Sequence, residues 1–184
     1  KKASDYMAAA ERGDAVAQAE LGYCYYYGLG VTVNYYEAVK WYRKAAAQNN
    51  AMALNNLGFC YEKGKGVTKD EYESTKWYRK AAEAGSVVAQ CNMGNCYENG
   101  RGVSKDLGEA FRWYKKAADN GNQRAMNAMA RFYRYGYSVS KDMDMALIWY
   151  RKAADAGYDV SQNALGCIYY NGEDGVTRDY ALAY

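Results

Sequence analysis

Apolar residues fall along this chain in two alternating helical stripes, and the pair of stripes returns every 36 residues. The first runs through Ala17, Leu21, Cys24 and Tyr25 and continues as Ala53, Leu57, Cys60, Tyr61 and Ala89, Met93, Cys96, Tyr97. Spacings of four, seven and eight residues place these side chains on one face of a helix, so the pattern predicts a helix from about Ala15 to Tyr27, here termed the A helix. The second stripe, Ala38, Trp41, Tyr42, Ala45 and Ala46, predicts a B helix built on WYRKAA at Trp41, which returns at Trp77, as WYKKAA at Trp113, and at Trp149. Its alanines permit tight crossing, and its aromatics fill the space between units.

A fixed period of this size marks a repeat solenoid, in which one supersecondary unit buries its apolar face only when neighbours stack on it. The expected fold is an all-α solenoid of 36-residue helix-turn-helix repeats occupying residues 1–184 as one array. It divides into a partial unit 1–13, repeats at about 14–49, 50–85, 86–121 and 122–157, and a truncated unit 158–184. Tyr6 and Ala9-Ala10 fall in the Tyr42 and Ala45-Ala46 columns, so the chain enters within a B helix, and an upstream repeat is expected in the parent protein. A helical stub is expected after Asp179, leaving the partner face of the fifth A helix exposed for self-association up to Tyr184.

Turn residues agree with this register. Gly28, Gly64, Gly100, Gly136 and Gly172 read as left-handed caps of the A helices, and Val31, Val67, Val103, Val139 and Val176 as loop plugs. Asn34 with Glu37, Asp70 with Glu73 and Asp106 with Glu109 have the spacing of a reciprocal capping box. Asn49, Gly85, Gly121 and Gly157 stop the B helices. Mid-helix Gly22, Gly58, Gly94 and Gly166 give up roughly 1 kcal/mol of propensity each, which predicts a bulky neighbour at close approach.

Composition removes several functions. The chain has no histidine and no proline, 22 tyrosines, and a net charge of +3 from 24 basic and 21 acidic residues spread along its length, so no basic tract tracks a nucleic acid. No apolar run reaches the roughly 18 residues of a membrane span. Without histidine there is no histidine triad or HExxH zinc site. Cys91 and Cys96 stand outside zinc spacing, the G-x-G motifs close helices and never reach G-K-S/T, and Glu62 and Glu98 are read as groove or surface charges. No catalytic residue, cofactor or metal is expected. Cys24, Cys60 and Cys96 share a column whose stacked spacing of roughly 8 to 10 Å exceeds disulfide reach. The five cysteines are therefore read as buried free thiols, which fits a reducing compartment and leaves an extracellular or periplasmic one open.

The pattern A-x-x-x-L-G-x-x-Y-x-x-G-x-G-V, followed by a capped helix ending A-x-x-W-Y-R-K-A-A-x-x-G, resembles the Sel-one-like repeat family, a relative of the tetratricopeptide repeat. The proline often found after the loop valine is replaced here by Thr32, Thr68, Ser104, Ser140 and Thr177. The resemblance implies a right-handed superhelix of paired helices, with A helices lining a concave side, that serves as an adaptor or scaffold in multiprotein assemblies.

On that implied side, residues outside the repeated columns are Tyr23 and Tyr27; Asn55, Phe59 and Lys63; Asn92, Asn95 and Asn99; Asn127, Arg131, Arg134 and Tyr135; and Asn163 and Asn171. Each asparagine amide offers both a donor and an acceptor, so an asparagine ladder flanked by aromatics suits the backbone of an extended peptide. Tyr26, Tyr35, Tyr36, Tyr72, Tyr137, Tyr158 and Tyr170 also stand outside the core columns; tyrosine suits interfaces, but single exposed tyrosines need no explanation and these are left outside the candidate site. The basic pairs Arg43-Lys44, Arg79-Lys80, Lys115-Lys116 and Arg151-Lys152 are read as the solvated side of the B helices. The expected role is a protein-binding adaptor. The alternatives are a self-associating array and a non-catalytic regulatory segment of a larger protein.

Overall fold

The computed structural model describes residues 1–183, and of Asp174 the backbone alone. Two compact units form the chain, Lys1–Lys105 and the part from Asp106 onward. The first holds α1 (Ala3–Glu11), α2 (Ala15–Tyr27), α3 (Tyr35–Ala47), α4 (Ala51–Lys63), α5 (Glu71–Glu83) and α6 (Val87–Asn99). In the second are α7 (Leu107–Asp119), α8 (Gln123–Tyr135), α9 (Met143–Asp155), α10 (Asp159–Asn171) and a 3₁₀ turn at Glu173–Gly175. Among the described residues there is no strand. The fold is an all-α solenoid, with even-numbered helices of type A and odd-numbered helices of type B.

The helix ends follow local chemistry. Asp14, Asn50, Ser86 and Asn122 cap the A helices α2, α4, α6 and α8, and Asn34, Asp70, Asp106 and Asp142 cap the B helices α3, α5, α7 and α9, each accepting from the N–H three residues on. The five A-helix glycine caps are left-handed, and Asn49, Gly85, Gly121 and Gly157 take positive φ just beyond the B helices. Only half of the expected capping box forms. The Asn34 and Asp70 backbone N–H groups donate to the carbonyls of Tyr25 and Tyr61, at 2.9 and 3.0 Å. With those donors spent, Glu37 and Glu73 turn outward to Lys40 and Lys76, and Glu109 likewise pairs with Arg112.

The core lies between A and B helices. Leu21, Leu57, Met93 and Met129 are fully buried, as are Ala53, Ala89 and Ala125. Close approach explains two of the helical glycines: a Cβ on Gly22 would stand 2.7 Å from the Tyr42 ring, and one on Gly58 would stand 2.6 Å from Tyr78, whereas Gly166 has no bulky neighbour and a Cβ there would meet only the Ala183 backbone. The basic pairs are structural as well as solvated. Lys44, Lys80, Lys116 and Lys152 sit 3.9, 4.8, 5.5 and 4.4 Å over Trp41, Trp77, Trp113 and Trp149. Arg43 and Arg79 donate to the hydroxyls of Tyr61 and Tyr97 on the following A helix, at 3.0 and 2.9 Å.

Three further expectations change. Cys24, Cys60, Cys91 and Cys96 are buried free thiols, but Cys167 is exposed. Tyr26 is a packing residue, because its ring lies 5.0 Å from Tyr35 and 6.1 Å from Phe59 against the core. The segment after Asp179 is a turn and not a helical stub: the Asp179 carboxylate caps the N–H groups of Ala181 and Leu182, but no helix follows among the described residues. Tyr184 lies outside the described residues.

Candidate functional site

The A-helix face of the first unit collects side chains that the repeat leaves free. At its α2 end, Tyr23 and Tyr27 are 39% and 54% exposed, with ring centroids 4.5 Å apart. Tyr26 joins them from below, 4.8 Å from Tyr27, and burial pushes its hydroxyl up to about 12. On α4, Lys63 lies 5.6 Å over the Phe59 ring, and Asn55 is partly buried. Asn92 on α6 donates to the Asn55 side-chain carbonyl at 3.1 Å, a rung between successive A helices. Asn99 bends back onto the Asn95 backbone carbonyl at 2.9 Å. The first unit thus brings together Tyr23, Tyr27, Asn55, Phe59, Lys63, Asn92, Asn95 and Asn99, with some amide valence spent inside the ladder.

Beneath this strip lies a polar cluster centred on Glu62. Its carboxylate accepts from the Tyr78 hydroxyl at 2.8 Å and Lys63 at 2.6 Å, with Arg101 3.9 Å away. Burial pulls this carboxyl upward, but the hydrogen bonds from Lys63 and Tyr78 and the charges of Lys63 and Arg101 together outweigh burial and hold it below the usual value. Ser74 donates to the Gly58 carbonyl and Thr75 to the Arg101 carbonyl, both at 2.8 Å. Glu62, Glu71, Ser74, Thr75, Tyr78 and Arg101 line, with Asn92, Asn95 and Cys96, a cavity of about 20 Å³, room for one water. Glu62 was read from sequence only as a groove or surface charge. The available signal was Ser74-Thr75, which breaks columns occupied by Ala38-Val39, Ala110-Phe111 and Ala146-Leu147.

The second unit has its own set. Arg134 pairs with Glu173 and lies 5.3 Å from the Tyr135 ring. Asn171 donates to Glu173 at 2.8 Å, and Asn127 accepts from the Ser161 hydroxyl at 2.9 Å. Arg131 is partly buried. Asn163 and Asn171 line a cleft of about 420 Å³ with Gly166, Cys167 and Tyr170. No described helix is long and apolar enough to cross a membrane.

A family model described as Sel1 repeat matches residues 15–50, 51–86, 87–122, 123–158 and 159–184. Among solved structures, a Sel1 repeat protein from Oxalobacter formigenes is 38% identical with a TM-score of 0.91, covering 97% of this chain and 73% of its own. A protective antigen of uropathogenic Escherichia coli strains displaying an SLR fold is also 38% identical, at TM-score 0.90; the match covers 100% of this chain and 39% of the antigen. Cysteine-rich protein B of Helicobacter pylori is 26% identical at TM-score 0.56, over 69% of this chain and 96% of its own. No curated protein matches the chain.

Proposed function

Because the chain belongs to the Sel1 repeat family, we propose that the A-helix face of its first unit binds an extended segment of a partner protein. Members of this family generally act in protein–protein interaction and are typically non-catalytic. The observation that carries the reading is adjacency: side chains departing from the repeat form one continuous aromatic and amide strip over α2, α4 and α6. Tyr23 and Tyr27 supply exposed ring surface at low entropy cost. Asn55 and Asn92, although bonded to each other, each keep amide valence for a peptide backbone. Asn127, Arg131, Arg134, Tyr135, Asn163 and Asn171 offer the second unit a counterpart surface on α8 and α10.

The test is selection of peptides from a random displayed library on the intact chain, followed by titration against a Tyr27→Ala, Lys63→Ala, Asn99→Ala variant whose fold is checked by circular dichroism. The groove reading expects the selected peptides to bind the variant roughly tenfold more weakly or worse. Equal affinity for both proteins would remove the strip from the binding surface.

A further inference from the structure

We infer that the B-helix side of the first unit carries a second docking site, a cleft between the C-terminal turns of α3 and α5 that takes an acidic protein segment through an apolar side chain. The cleft has a volume of about 700 Å³, within the roughly 300 to 1,000 Å³ of ligand sites. Leu54 and Trp77 line it with Ala46, Ala47 and Ala84, and Arg43, Lys80 and Glu83 carry its charges.

The repeat itself explains why the cleft is open. In the equivalent gap between α1 and α3, Gln48 donates at 2.9 Å to both the Gly13 carbonyl and the Gln18 side chain, while Gln18 donates to the Ala10 carbonyl at 3.1 Å. That pair of glutamines bridges the gap with hydrogen bonds. One period later both are gone: Leu54 stands in the Gln18 column and Ala84 in the Gln48 column. The exchange removes the bridge and leaves an apolar floor at one place in the unit.

Charge names the occupant. In the first unit Lys40, Lys63, Lys69, Lys76 and Arg101 each have a glutamate partner. Arg43 and Lys80 at the cleft have no carboxylate partner among the described residues, a condition shared by Lys44, Lys65 and Arg79 elsewhere in the unit; Arg43 holds the Tyr61 hydroxyl and Lys80 the Trp77 ring, and what sets these two apart is that they flank one cleft. Both also suit the negative ends of the helix dipoles, but the last turns are already satisfied by the N–H groups of Asn49, Asn50, Gly85 and Ser86. Two cations against the single carboxylate of Glu83, over an apolar floor, complement a segment in which a leucine-like side chain is flanked by acidic residues. This site does not depend on the A-helix strip.

The test is fluorescence anisotropy of a fluorescein-labelled peptide, Glu-Glu-Leu-Leu-Glu-Glu, titrated with the intact chain, beside a control with lysine in place of each glutamate. Expected are saturable binding of the acidic peptide and none of the basic one. Ala84→Gln restores a residue that the same column already accommodates at Gln48, so the fold should persist while affinity falls roughly tenfold or more. Lys80→Glu reverses an exposed charge and gives up the contact with the Trp77 ring, so circular dichroism is run beside it to show an unchanged fold, and it should weaken binding similarly. Absence of saturation at about 1 mM acidic peptide, equal binding of the two peptides, or indifference to both substitutions would each overturn the proposal. So would binding confined to phosphatidylserine vesicles, since that would make the cations a membrane patch.

Discussion

Gly58 shows how tightly one position can be constrained. Its missing Cβ makes room for the Tyr78 ring, which cannot move aside because its hydroxyl is held by Glu62. Gly58→Ala gains roughly 1 kcal/mol of helix propensity but overpacks the core, and the predicted net loss is about 1–2 kcal/mol, read as a lower urea midpoint. Gly166→Ala meets only the Ala183 carbonyl at 3.0 Å and should be close to neutral. A glycine in a helical stripe announced close approach, but the sequence did not reveal that a partly buried hydroxyl–carboxylate bond locks the approaching ring. Thiol titration tests burial at the same scale. Cys167 should react with a disulfide reagent at once, and Cys24, Cys60, Cys91 and Cys96 only on unfolding. Burial pushes Cys60 up to about 12, so the folded chain holds that proton more tightly than the unfolded one. Its contribution is complete below the ordinary thiol value of 9.0 and is lost as pH rises toward the folded value, so the thermal midpoint should fall on that alkaline limb.

At the level of elements, the caps separate what was legible from what was not. Asp70 was readable as a cap because its bond to the Glu73 N–H spans three residues of one helix start. The role of Glu73 was misread, because the N–H it was expected to accept is taken by the Tyr61 carbonyl across a loop. Asp70→Ala should therefore cost about 1 kcal/mol. Glu73→Ala should cost no more than about 0.5 kcal/mol, since it removes only the ion pair with Lys76 on a solvent-facing helix surface. Paired denaturant midpoints measure the difference. The basic pairs teach the same lesson: their periodicity was plain, but the reach of Arg43 to Tyr61 and of Lys44 onto Trp41 depends on how A and B helices pack.

For the whole molecule, the 36-residue period carried the fold, because every repeated column has a packing reason to recur. The binding surfaces were less legible, since they consist of departures from the columns, and a departure says that packing is relaxed without saying what replaces it. Asn55 and Asn92 illustrate this, having spent part of their polar valence on each other. Uneven packing also predicts uneven stability. Helix α10 buries only Ser161, Ile168 and Tyr169 and lacks a side-chain cap, whereas α8 buries five residues behind the Asn122 cap. Amides of α10 should exchange with deuterium faster than those of α8.

In the proposed function, partners are held by residues departing from the repeat on the A-helix face. Its most direct test is to titrate one selected peptide against the wild-type chain, the Tyr27→Ala, Lys63→Ala, Asn99→Ala variant and the Ala84→Gln variant. Affinity should fall roughly tenfold or more for the first variant and stay unchanged for the second. Unchanged affinity for the strip variant would contradict it.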